Sequence, residues 1–210
     1  TKSELEPIIL PATIPNTVTE HIDALGLTGI DWTYPVRPEQ DGLDIKTGLR
    51  LTHYPTANIQ NRIACMVSHM RCWQKAVDLD ENIVILEHDA IFTRKLVPND
   101  LTSNWKGGIV GLNSPIGATR RAGSFDDQVK KIQGLQLVPT VDDLNVPQGL
   151  AGNSAYLISP KGAKKLLDKV KEVGMWPNDA LMCKQFFPWL QVVYPYYTTI
   201  QKGLKSTTTQ

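Results

Sequence analysis

Residues 82–92 read NIVILEHDAIF, a run of β-branched and leucine residues that stops at Glu87, His88 and Asp89. A short, continuous apolar run of this kind predicts a strand buried on both faces, hence a central strand of a sheet covered by helices. In extended backbone, residues i and i+2 point to one side, so Glu87 and Asp89 are expected to share a site while His88 faces away. The carboxylates either belong to a polar turn that caps the strand or face a divalent cation and the diphosphate it carries. Mg²⁺ and Mn²⁺ sites of that type use few protein oxygens and complete their octahedron with phosphates and waters. The cation stabilises negative charge on a departing diphosphate.

Upstream of this strand, Ile59, Ile63, Met66, Met70, Trp73 and Val77 recur at alternating spacings of four and three, which predicts a long amphipathic helix from about Ala57 to Val77. Nearer the amino terminus, EPIIL (6–10) predicts a first core strand ended by Pro11. TVTEHIDALGL predicts a helix with Val18, Ile22 and Leu25 on one stripe and Gly26 as its stop, and DWTYPVRPEQDG a second strand running into a loop.

Downstream, GGIVGLN (107–113) predicts another central strand. Ser114 to Asp143, with Arg120, Arg121, Lys130 and Lys131, reads as a mobile loop or an acceptor-facing segment, its basic residues either touching an anionic acceptor or simply solvated. GNSAYLIS predicts a strand. SPKGAKKLLDKVKEVG predicts a helix capped by Ser159, with Pro160 at its first position, Gly174 as terminator and a core stripe of Ala163, Leu166, Leu167 and Val170. WPNDALMCKQFF predicts a last helix and LQVVYPYYTTI a last strand. Alternating strands and helices predict an α/β fold with a mostly parallel sheet, whose ligand sites collect beyond the strands' carboxyl ends.

At 210 residues, 41% hydrophobic and 20% charged, the chain is expected to form one globular domain, residues 1–205, with a frayed tail at 206–210. A net charge of +1 does not indicate nucleic acid as a partner, although it leaves a local basic face open. Lys161, Lys164, Lys165, Lys169 and Lys171 read as the wet face of an amphipathic helix. Cys65, Cys72 and Cys183 form no CxxC pair and no zinc spacing, so they are read as reduced structural thiols of a cytoplasmic protein. No apolar run reaches membrane-spanning length, and the amino-terminal residues have no leader pattern.

Several polar positions stand near the strand end in this reading. Arg62 and His69 are seven apart on the flank of the long helix, where both reach over the sheet or simply sit as a snorkelling arginine and a satisfied core-edge histidine. Ser68 falls opposite the apolar stripe. Asp179, in WPND at a helix start, either meets the positive end of the helix dipole or takes a proton from an attacking hydroxyl as a general base.

Taken together, IACMVSHMRCWQKAVDLDENIVILEHDAIF, GNSAYLISPKGAKKLL and WPNDALM resemble, in order, three segments of the family 25 glycosyltransferases, the lipooligosaccharide and collagen galactosyltransferase group. The resemblance spans about residues 59 to 200. It implies a GT-A type, Rossmann-like fold, a nucleotide-sugar donor, usually UDP-linked, a divalent metal (Mn²⁺ or Mg²⁺), and inversion at the anomeric carbon by an acceptor hydroxyl. Carried over by position, it implies Asp89 as metal ligand, with Glu87 assisting there or at the donor ribose, and Asp179 as base. Ser68 and His69 match a Ser-His pair, and Asn153 and Ser154 fall near the sugar or acceptor. Pro11, Ala12 and Thr13, with Arg62 and His88, complete the donor-binding candidates. His88 stands where the family has a middle acid, and Ala64 where it has glycine before Cys65.

The expected activity is metal-dependent sugar transfer to a hydroxyl on a saccharide, or on a hydroxylated nucleobase in DNA. A non-catalytic sugar- or protein-binding member of the same fold and a metal-dependent phosphohydrolase are the competing readings.

Overall fold

The most regular sequence pattern produces the most regular element. Helix α2 (Ile59–Leu79) begins where the Asn58 side chain accepts the Gln60 N–H and ends at Asp80, whose left-handed backbone (φ 51°) stops the coil. Met66, Met70 and Trp73 on its stripe have no solvent exposure. The stripe packs on helix α5 (Pro160–Val173). Ser159 caps α5 by accepting the Gly162 N–H at 3.0 Å, and all four predicted stripe residues are buried. The structure, a computed structural model, describes residues 7–102, 104–116, 118, 121–201 and 203.

Both helices lie on one face of a five-stranded sheet. Its strands are β3 (Ile83–Leu86), β5 (Ile109–Gly111), β6 (Gly134–Leu137), β7 (Ala155–Ile158) and β8 (Gln191–Tyr194), in the spatial order β3-β7-β5-β8-β6. Successive side chains of a strand face opposite ways. On β7, Tyr156 and Ile158 therefore join the large core under the helices, while Ala155 and Leu157 join a second apolar cluster with Val110, Val193 and Tyr197.

The sheet departs from expectation in direction and in order. Only β5 and β8 pair in parallel; β3–β7, β5–β7 and β6–β8 are antiparallel, so the fold is mixed α/β with a mostly antiparallel sheet. Strand β3 is an edge, not a centre: it pairs with β7 alone, and of its residues only Ile85 is buried while Leu86 is 46% exposed. An apolar run reports that side chains find cover, and the helices and β7 supply it here without a second neighbouring strand. The middle strand is β5, as GGIVGLN predicts, and β5 and its neighbour β7 are buried along their whole length.

Other local expectations are also replaced. Residues 7–14 form no strand, and Ile8 and Ile9 are exposed. Helix α1 (Val18–Ala24) forms as predicted, but the second strand reduces to one bridge between Trp32 and Met175. A small hairpin of β1 (Gly42–Leu43) and β2 (Arg50–Leu51) follows. The stretch read as a mobile loop contains helix α4 (Ala122–Val129), which buries Phe125 and Val129, and edge strand β6. The helix expected from WPNDALMCKQFF is the short α6 (Asn178–Leu181). The last strand divides into β8 and β9 (Thr198–Ile200), and β9 pairs with β4 (Ala90–Phe92). A further short helix, α3 (Pro98–Thr102), precedes β5. Arg120 and the tail at 206–210 lie outside the described residues.

Candidate functional site

Because β7 runs antiparallel to β3 and β5, its amino end lies beside their carboxyl ends. Residues distant in sequence meet there. The Glu87 N–H donates to the Ser154 carbonyl at 2.8 Å, and the Ser114 N–H to the Thr198 carbonyl at 2.8 Å. Gly152, at φ +84°, turns the chain into β7 with its α-carbon against the Asn113 side chain; a Cβ there would lie 3.0 Å from Asn113 Nδ2.

At the acidic strand end the backbone is a turn, not extended. The Ala90 N–H returns to the Glu87 carbonyl at 3.1 Å, and the Gln201 N–H holds the Asp89 carbonyl at 2.7 Å. The shared side of Glu87 and Asp89 therefore does not follow from strand alternation. His88 is exposed, and Glu87 and Asp89 are partly buried.

Glu87 is held from within. His69 Nε2 lies 3.1 Å from Glu87 Oε1, while His69 Nδ1 lies 2.8 Å from the Tyr156 hydroxyl. Burial pushes the Glu87 carboxyl's pKa up, but the hydrogen bond and charge of His69, with His88, hold it below the ordinary value. Burial likewise opposes charging of His69, and Tyr156, Cys65 and Glu87 outweigh it to raise the imidazole's pKa.

Asp89 Oδ1 and both polar atoms of the Asn153 side chain are buried without a hydrogen-bond partner among the described residues. Buried polar atoms are nearly always satisfied, so Asp89 Oδ1 and the Asn153 amide, like Trp105 Nε1 and Asn178 Nδ2, call for a water or a ligand as partner. A hard oxygen donor left over on a carboxylate suits a divalent cation, with diphosphate oxygens as its remaining ligands. Asp89 and Glu87 are the residues that fit it; among the described residues no group of three or more His, Cys, Asp or Glu side chains is arranged to hold a metal by itself.

Asp179 stands at the start of α6, where its carboxylate accepts the Ala180 N–H at 3.0 Å. It lines a cavity of about 160 Å³ together with Tyr34, Tyr54, Arg50, Leu150 and Gly152. Burial pushes its pKa up; Arg62 and the Ala180 N–H pull the other way without cancelling it, and the Glu87 charge adds to the rise. Arg62 is buried at 9% exposure. It donates to Thr56 Oγ1 at 2.7 Å and the Pro55 carbonyl at 3.2 Å, with its guanidinium 5.1 Å from the Tyr54 ring centroid. His69 thus reaches the strand end, while Arg62 serves the Asp179 side.

Pro11, Ala12 and Thr13 lie along α2. Arg71 Nη1 donates to the Pro11 carbonyl at 2.7 Å, and the Thr13 N–H donates to Ser68 Oγ at 2.9 Å. Ser68, which the stripe argument set aside, is therefore the anchor of the amino-terminal segment, next in sequence to His69. Arg121 pairs with Asp142 at 3.3 Å and Lys130 with Asp126, so these two cations of the presumed acceptor loop have partners within the fold. The cysteines are free thiols, and no helix among the described residues is long and apolar enough to cross a membrane.

Sequence reasoning missed Tyr156 and Asn113. Tyr156 was visible as the tyrosine of GNSAYLIS, but nothing local says which face of β7 it takes. No curated protein matches the sequence at a significant level. Residues 46–110 match the family model described as glycosyltransferase family 25 (LPS biosynthesis protein). The match takes in α2, His69, β3 and the acidic strand end, and stops before Asn153, Tyr156 and Asp179. Over that segment, which builds the His69 helix and the acidic strand end, the chain is similar to glycosyltransferase family 25.

Proposed function

We propose that this glycosyltransferase moves a sugar from a UDP-linked donor to an acceptor hydroxyl with inversion, in a Mn²⁺- or Mg²⁺-dependent reaction. The observation that carries the reading is the pair of unsatisfied groups at the sheet edge, Asp89 Oδ1 and the Asn153 side-chain amide, beside a Glu87 already anchored by His69. Asp89, with Glu87, would hold the cation, which supplies charge neutralisation for the departing diphosphate. Asn153 offers both a donor and an acceptor to sugar hydroxyls or phosphate oxygens.

The acceptor enters by the cavity that Asp179 lines. Asp179 takes the proton of the acceptor hydroxyl as its oxygen bonds to the anomeric carbon and the bond to the diphosphate breaks. A carboxyl raised by burial is a better proton acceptor for that step than an ordinary surface aspartate. The cavity is small beside the roughly 300–1,000 Å³ of pockets for drug-sized ligands, which suits one sugar ring at a time.

The test is a panel of nucleotide sugars with saccharide acceptors and a hydroxymethylated DNA duplex, read by mass spectrometry for transferred mass. Transfer is expected with metal present, and Asp179→Asn is expected to lower kcat roughly 10²–10⁴-fold, the usual range for a lost general base. Full activity in Asp179→Asn refutes its role; nucleotide binding without transfer to any acceptor favours the non-catalytic reading.

A further inference from the structure

Glu87 is the outer end of a hydrogen-bonded series that begins in the core. Trp73 Nε1 lies 2.8 Å from the Tyr156 hydroxyl, that hydroxyl 2.8 Å from His69 Nδ1, and His69 Nε2 3.1 Å from Glu87 Oε1. An indole N–H can only donate. Tyr156 therefore accepts from Trp73 and has its own proton to give to His69 Nδ1. In the neutral ring this leaves the proton on Nε2, facing the carboxylate. The opposite tautomer would turn two donors onto one hydroxyl, strand the phenolic proton and aim a lone pair at Glu87.

Trp73 and Tyr156 are fully buried and His69 is 4% exposed, so the order of donors is set by the chain and not by solvent. Its parts come from separate segments. His69 and Trp73 are four apart on one face of α2. Tyr156 stands opposite Ile85 in the β3–β7 ladder, two residues before Glu87.

We propose that Tyr156 is a positioning residue of the donor site. Backed by Trp73, it orients the His69 ring from the core side, fixing in the neutral ring which nitrogen carries the proton, and so holds Glu87 in one orientation with its second oxygen left for the donor. Only that last clause rests on the glycosyltransferase reading with a UDP donor. The two sequence segments that carry His69 with Trp73, and Tyr156, are thereby one device, joined to the Glu87 side chain through His69.

In protein labelled with ¹⁵N-histidine, long-range ¹H–¹⁵N NMR at a pH where the ring is neutral reads the His69 tautomer. Nε2–H is expected in the wild type and equally in Glu87→Gln, because a glutamine imposes no direction of its own. A switch to Nδ1–H in Glu87→Gln means that the carboxylate sets the ring, and overturns the proposal. Tyr156→Phe is expected to weaken UDP binding roughly 10-fold or more, as loss of an outer partner does at binding sites. Unchanged UDP affinity in a cooperatively melting Tyr156→Phe also overturns it. Where that variant does not fold, the tautomer in Glu87→Gln decides. If the wild type binds no UDP, the donor reading fails, and the tautomer alone decides whether Tyr156 positions His69.

Discussion

Replacing Asp89 by asparagine should change stability in opposite directions in the free and the ligand-loaded protein. In the free protein, Asp89 Oδ1 is a buried carboxylate oxygen without a partner among the described residues, while its backbone carbonyl stays tied to Gln201. A buried polar atom left unmet costs about 1–3 kcal/mol, more when charged. Asparagine removes the charge but keeps an acceptor in place, and the residue as a whole is only partly buried. The gain is then about 1–2 kcal/mol, which for a chain of this length is about 2–8 °C in Tm.

With UDP and Mn²⁺ the sign reverses. A ligand at 100 times its Kd stabilises the wild type by about 2.7 kcal/mol, or about 5–11 °C. Asp89→Asn should lose most of that increment, so the order of melting temperatures inverts when ligand is added. Differential scanning fluorimetry on both proteins, with and without UDP and metal, reads all four values. If Asp89→Asn melts several degrees below the wild type without ligand, the carboxylate has a structural partner and is not a group held open for a ligand. If it keeps the ligand increment, Asp89 does not hold the metal.

The His69–Glu87 pair gives stability a defined pH window. Glu87, held below its ordinary value of 4.5, contributes stability that is present above that value and lost as pH falls through its lowered pKa. His69, raised above its ordinary 6.5, contributes stability that is present below 6.5 and lost as pH rises through its raised pKa. The urea stability of the wild type relative to Glu87→Gln should therefore be greatest between these two values and shrink on either side; a difference flat from pH 4 to 9 would sink this assignment. Gly149→Ala places a Cβ 2.2 Å from the Met182 carbonyl oxygen, a backbone atom that cannot swing aside, beside the bridge to Cys183. It should cost about 1–3 kcal/mol in urea melts, and wild-type stability would show that the Gly149 segment and the chain after α6 do not pack as closely as described.

How much of this was legible beforehand depended on whether the deciding contact was local. The stripe of α2 and the cap and terminator of α5 are set by neighbours within a turn or two, and both helices formed close to where the pattern put them. Strand β3 was legible as a strand, but its place in the sheet was not, because an apolar run does not distinguish cover by two strands from cover by one strand and a helix layer. EPIIL had the composition of a strand, but its described residues 7–10 pair with no strand among the described residues, which a sequence cannot announce. Ser114 to Asp143 looked irregular because its apolar residues are few; Phe125 and Val129 suffice to seat α4.

The candidate site divides in the same way. The residue types alone left Glu87, Asp89, His69 and Asp179 open between structural and chemical roles, and the family resemblance is what singled them out as site candidates. That His69 meets Glu87, that Tyr156 and Trp73 stand behind it, and that Asn153 and Asp89 have polar atoms unmet among the described residues were decided only by tertiary structure. Local periodicity fixes which face of an element is apolar. The antiparallel pairing of β7 with β3 sets the register that brings Tyr156 under His69 and Ser154 against Glu87, and that pairing is a contact between residues about 70 positions apart, made through hydrogen bonds every backbone can offer.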